Sequence, residues 1–176
     1  MGRRLLRILL IVVPAGCGAA AAEEAGNSVL SNNDPAFITA GAGAIGDELA
    51  TGDPAAAFSL AYRAGPELQF LYIRPSLGLM VSAEGSVYGW LGLDLDLFLG
   101  DRIVLTPQFG VGAFSAGGGQ SLGHIFEMRT GGVLAWRFDN RARLGVGLHH
   151  LSNADLGDRN PGTETLSVYF SYPLKM

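Results

Sequence analysis

Between Val87 and Leu99 the chain reads VYGWLGLDLDLFL, and apolar and polar positions alternate almost without interruption. Leu91, Leu93, Leu95, Leu97 and Leu99 fall on one parity, and Gly92, Asp94 and Asp96 on the other. A period of two marks a strand whose two faces meet different surroundings. It recurs in FLYIRPSLGLMVS (70–82), where Leu71, Ile73, Leu77, Leu79 and Val81 oppose Arg74, Ser76, Gly78 and Ser82. In HIFEMRTGGVLAWRF (124–138), Phe126, Met128, Leu134, Trp136 and Phe138 oppose Glu127, Arg129 and Arg137. AAAFSLAYRA and RIVLTPQFGVGAF repeat the theme, and GDP, GD, GGGQ and DN supply turn chemistry between segments. With PAFITAGAGAIG ahead of them and RARLGVGLHHLSN and TETLSVYFSYPL behind, the pattern predicts eight strands and no helix.

The second face decides what surrounds those strands. Arginines and carboxylates stand opposite the leucines at strand centres, as in a barrel whose apolar face meets lipid and whose polar face fills the lumen. Arg63, Arg74, Asp94, Asp96, Glu127, Arg129, Arg137 and Arg143 are expected to pack inward as a mutually neutralising network, Glu127 in an ion pair with an arginine. Eight strands enclose just enough space for such side chains. The expected fold is therefore all-β: an eight-stranded antiparallel transmembrane β-barrel with a side-chain-filled lumen and no open pore. A secreted β-sandwich alternates in the same way and is the competing architecture.

Composition supports the lipid-facing reading. The chain holds 26 glycines, only 16% charged residues and a positive mean hydropathy, with no apolar run long enough for a transmembrane helix after its first residues. Those first residues have the parts of a secretory signal: Arg3, Arg4 and Arg7, an apolar run from Ile8 to Val13, and Ala20-Ala21-Ala22 before Glu23. Residues 1–22 are expected to be removed, leaving the barrel over 23–176. Cys17, the only cysteine, would leave with the signal, unless PAGC instead makes it the lipidated first residue of a lipoprotein. Without the three arginines the chain carries 9 basic against 16 acidic residues, a formal charge of −7 that argues against a nucleic-acid partner. An exported, cysteine-free barrel belongs in a bacterial outer membrane, where a closed sheet satisfies its backbone without water.

Parity also sorts the polar residues near the C-terminus. In RARLGVGLHHLSN, Leu144, Val146 and Leu148 form the apolar row, which runs on to His150 and Ser152, while His149 falls on the lumen parity with Arg143. In TETLSVYFSYPL, the row Leu166, Val168, Phe170 and Tyr172 runs back to Glu164. If Leu148 pairs with Leu166, His150 stands opposite Glu164. Polar groups on a lipid-facing row are costly and call for a reason. Ser152 is a weak nucleophile alone, but His150, two residues earlier on its face, can take its proton. Glu164 can then fix the imidazole, and Asn153 offers an amide donor for an oxyanion. The blander alternative is a rim histidine and a Ser-Asn turn with no catalytic role. The histidines and carboxylates do not gather into a metal centre, and the chemistry needs no cofactor.

HLSN followed by NPGTE resembles the motif of the outer-membrane lipid A deacylases of the PagL type, also called acyloxyacyl hydrolases. The resemblance is most specific from about Gly123 to Leu174. It implies an eight-stranded barrel with a Ser-His-Glu triad on its outer wall near the extracellular side: Ser152 as nucleophile, His150 as general base, Glu164 as its orienting partner and Asn153 in the oxyanion hole. The implied substrate is lipid A of lipopolysaccharide, cut at an ester-linked acyl chain, at the 3-O position by resemblance. The implied partners are that lipid and the outer membrane around it, with the barrel a monomer or homodimer. No position clearly matches the aspartate proposed in that family to contact the acyl hydroxyl, and the chain ends Pro173-Leu174-Lys175-Met176 rather than in an aromatic residue. A phospholipase and a catalytically silent structural or adhesion barrel are the other readings.

Overall fold

The computed structural model describes residues 29–30, 34–47, 49 and 52–174; the expected signal segment and Cys17 lie outside the described residues. Strands β1 (Phe37–Gly46), β2 (Ala55–Arg63), β3 (Ile73–Ser82), β4 (Val87–Leu95), β5 (Leu97–Leu99), β6 (Ile103–Ser115), β7 (Phe126–Arg137), β8 (Arg143–Ser152) and β9 (Thr163–Pro173) follow one another up and down. Each pairs antiparallel with its neighbour, and β1 pairs with β9, from Phe37 against Pro173 to Gly46 against Glu164. That last ladder closes the sheet, so no edge strand is left to meet lipid. β4 and β5 are two pieces of one stave, both paired with β6 and interrupted at Asp96. The barrel therefore has eight staves, as the alternation predicts.

Lipid-facing and lumen-facing residues separate by parity along every stave. In β8, buried and exposed positions alternate strictly from Arg143 to Leu151. Leu91, Leu60 and Leu134 are more than half exposed on the outer wall, where hydrocarbon takes the place of water. One expected strand begins later than its pattern suggests. Leu71 and Tyr72 form the tip of a tight turn closed by Phe70 and Ile73, with φ of 48° and 68°, a left-handed conformation that bulky residues seldom adopt.

The lumen is filled in two ways. Near the opposite rim from the termini, Tyr88, Trp90, Phe114, Leu122, Leu151, Met80 and Ile45 form an apolar cluster, in which Tyr88 and Trp90 stack at 5.6 Å. Toward the terminal rim the filling is charged. Asp96 receives Arg63 at 2.6 Å, Arg143 at 2.8 Å and the Thr106 hydroxyl at 2.8 Å. Asp34, which lies just before β1 and belongs to no strand, receives Arg137 and Arg143, each at 2.7 Å. Its backbone carbonyl accepts from Arg74 at 2.6 Å. Burial alone would push the Asp34 carboxyl up, but the hydrogen bonds from Arg137 and Arg143 hold it below the ordinary aspartate value. Between the two fillings remains a cavity of about 60 Å³ lined by Ser76, Asp94, Gln108 and Arg129 among others, room for little more than a few waters.

Glu127 departs from expectation. It is fully buried and on the lumen parity, but neither carboxyl oxygen has a hydrogen-bond partner, and its polar neighbours are Asn153 and His124 rather than an arginine. The lumen arginines converge on Asp34 and Asp96 at the other end of the barrel, and Arg129, two residues along, lies over the Trp90 ring at 4.7 Å.

Candidate active site

β8 and β9 pair with Leu148 against Leu166 and Val146 against Val168, which sets His150 directly opposite Glu164. The hydrophobic rows of both strands must face lipid together, so a slip of one residue would turn every leucine inward. The register that satisfies Leu144 to Leu148 and Leu166 to Phe170 therefore also joins the two polar residues that extend those rows. On the other side of β8, Thr130 stands opposite His150 and Met128 opposite Ser152. His150 is exposed, and Ser152 and Glu164 are half-buried, all on the outer wall. His149 points the other way: it is 1% exposed, its Nε2 lies 2.8 Å from Gln108 Oε1, and its ring meets Tyr169 edge-on. The adjacent histidines thus have different duties, one in the lumen and one on the wall.

Ser152, His150 and Glu164 are neighbours through the ladder, yet none of the three side chains makes a hydrogen bond to another described residue. Catalytic hydrogen bonds in an unliganded site are commonly long and close only around substrate. What leaves room for the ring is Gly162. A Cβ at that position would lie 2.8 Å from Cε1 and 3.2 Å from Nε2 of His150. The ring therefore occupies the space a side chain would need, leaning toward the loop end of the ladder, where Ser152 sits. Gly162 also has φ of 70°, which disfavours a side chain independently. The sequence signal for this contact is a glycine two residues before Glu164.

Asn153 is fully buried behind the wall. Its side-chain amide donates to the Leu122 carbonyl at 2.9 Å and the Arg159 carbonyl at 3.0 Å, and its backbone N–H donates to Asn160 Oδ1 at 3.1 Å. It thereby ties the β6–β7 loop to the β8–β9 loop immediately beside Ser152. Its Oδ1 has no partner. The chain then turns through Ala154 and Asp155, with φ of 51° and 62°, two consecutive left-handed residues without glycine. Such backbone is costly and persists where surrounding contacts over-determine it. Below the site, the outer wall carries Leu148 and Leu166 and then a furrow of about 430 Å³ along Leu134, Trp136, Leu144, Val146 and Val168.

Residues 56–173 match the family model described as lipid A 3-O-deacylase (PagL). Among solved structures, the chain is similar to the outer membrane enzyme PagL, with 22% identity and a TM-score of 0.60 over 78% of this chain and 99% of that one. It is also similar to a de novo designed transmembrane β-barrel, with 8% identity and a TM-score of 0.57 over 82% of this chain and 99% of the design. No curated protein matches the sequence. At these identities the structural likeness establishes the barrel, and the match over two thirds of the chain establishes the family.

Proposed function

The chain belongs to the lipid A 3-O-deacylase (PagL) family of the bacterial outer membrane, and on that premise we propose that it hydrolyses an ester-linked acyl chain of lipid A, at the 3-O position, through Ser152, His150 and Glu164. The observation that carries this reading is the pairing of His150 with Glu164 on the lipid-facing wall, two residues from Ser152 on the same face. A site on the outside of a sealed barrel is open to a substrate that is itself a membrane lipid.

In this mechanism His150 removes the proton of Ser152 as its oxygen attacks the ester carbonyl, and Glu164 holds the imidazole and stabilises the imidazolium. The tetrahedral intermediate collapses with transfer of the proton to the departing sugar oxygen, leaving an acyl-enzyme. Water, deprotonated by His150, then releases the fatty acid. The acyl chain lies along Leu148, Leu166 and the furrow beyond them. Asn153 is assigned to the oxyanion. Because both of its amide hydrogens are engaged by Leu122 and Arg159, that role requires one of these two bonds to open when substrate seats, moving the 153–162 loop.

Expression in an outer membrane bearing fully acylated lipid A tests the proposal. Mass spectrometry is expected to show the loss of one hydroxyacyl chain, and no loss with Ser152→Ala. Unchanged lipid A with the wild-type chain would point to a silent barrel, and fatty acid released only from glycerophospholipid would point to a phospholipase.

A further inference from the structure

The connections at the rim away from the termini are acidic. Asp47, Asp53, Glu84, Asp155 and Asp158 lie in them, and the sequence places only one arginine or lysine there, Arg159. Every other arginine of the barrel wall and its turns is in the lumen or toward the terminal rim. Arg159 is exposed, and among the described residues its guanidinium makes no ion pair. Its position is nevertheless fixed. Its carbonyl accepts from the side chain of Asn153, the residue after Ser152, and its stem crosses Gly123, where a Cβ would lie 2.8 Å from Arg159 Cγ. Gly123 has φ of 94°, so this close approach is built into a backbone that suits glycine.

His124 follows directly. Its Nδ1 accepts from the Phe126 N–H at 3.0 Å, which leaves the ring proton on Nε2, and the ring is exposed. Gly157 packs against the Gly123 carbonyl and His124 Cβ, so the loops bearing His124 and Arg159 are locked together beside the nucleophile. Among the residues of these connections Arg159 is the one cation that attracts an anionic glycolipid, against the repulsion of the carboxylates around it. An arginine offers a planar fork of donors suited to phosphate oxygens.

We infer that Arg159, with the Nε2–H of His124 beside it, binds a phosphate group of the lipid A sugar and so orients the glycolipid with its ester over Ser152. This rests on lipid A being the substrate, as proposed above. Arg159 is on this account a binding and specificity-determining residue, and the Leu122–Asn153–Arg159 bonds couple its seat to the nucleophile.

Native mass spectrometry of the detergent-released full barrel carrying Ser152→Ala reads binding without turnover. The probes are bisphosphorylated lipid A and the same lipid with both phosphates removed. The barrel is expected to retain the phosphorylated form about tenfold more tightly, and Arg159→Ala is expected to erase that preference without weakening the dephosphorylated form. Arg159→Lys, which keeps a charge but loses the fork, is expected to recover part of it. Equal retention of both lipids, equal loss of both with Arg159→Ala, or displacement by an equimolar amount of phosphatidylglycerol would each overturn the inference. Turnover by the chain with Ser152 intact separates the two proposals. Phosphate-dependent binding without hydrolysis would remove the deacylase reading and leave the phosphate site standing, and hydrolysis with no phosphate preference would do the reverse.

Discussion

Two sets of polar side chains break an otherwise apolar design, and they are built in opposite ways. Near the terminal rim, Asp34, Asp96, Arg63, Arg137 and Arg143 are inside the barrel, joined at 2.6 to 2.8 Å. Near the other rim, His150, Ser152 and Glu164 are outside it, aligned by the ladder but without a side-chain hydrogen bond to another described residue. Residue type does not separate the two sets, since each has a carboxylate and a nitrogen base. Satisfaction does. Charges in a closed lumen must be met, because an unpaired one is strongly unfavourable where water is scarce. Polar groups on a lipid-facing row that make no such bonds are costly to the fold, and it is this cost that the proposed reaction accounts for.

The contrast implies that each set fails in its own currency. The largest expected effect is on stability: Asp96→Ala removes the shared acceptor of Arg63, Arg143 and Thr106 and should cost about 3 to 5 kcal/mol. Urea unfolding of the barrel in vesicles measures this, while activity per folded molecule should stay at the wild-type level. A parallel fall in that activity would mean that the lumen and the wall are coupled.

Gly162→Ala should do the converse. Displacing the His150 ring from the space above Gly162 is expected to lower kcat/KM by about 10²-fold. The left-handed backbone adds about 1 kcal/mol of destabilisation. Lipid A turnover alongside the same unfolding curve separates these effects, and near-normal turnover would show that the ring position is not critical.

The smallest expected effect is a pH dependence confined to the lumen. Asp34 is depressed in the fold, so its stabilising contribution is fully present above the ordinary aspartate value of about 3.9 and is lost as pH falls through its folded value. The wild-type unfolding midpoint should therefore decline below about pH 4. Asp34→Asn should be less stable at neutral pH and flatter across that window. An identical acid slope in both proteins would place the acid-sensitive group elsewhere.

Much of this was legible along the chain. Hydrophobic rows that must share a face leave only even shifts, so the sequence put His150 and Glu164 on one face. The expected pairing of Leu148 with Leu166, which the ladder shows, set them opposite each other. The same parity separated His149 from His150. Asp34 was not legible: it lies in no strand, and its partners Arg137 and Arg143 follow more than 100 residues later. That Glu127 meets Asn153 and His124 rather than an arginine was also hidden, since parity reports the face but not the depth at which a residue meets its neighbours. Asn153 was readable as an amide next to a serine. That its hydrogens hold two loop carbonyls together was not.

The sequence by itself determined the staves, their two faces and which polar residues share the outer wall, because a strand's period of two is a local property written into every segment. Only the tertiary structure decided what those residues meet. Closure of β1 on β9 brings Asp34 under the arginines, the loop joining β8 to β9 lays Gly162 beneath the His150 ring, and the β6–β7 loop seats Arg159 across Gly123. These are contacts between segments whose local patterns carry no trace of one another. They come from the geometry of a sheet that must close on itself, with Asp34 and Asp96 met by arginines in the lumen and the close approaches at Gly123 and Gly162 left to glycine.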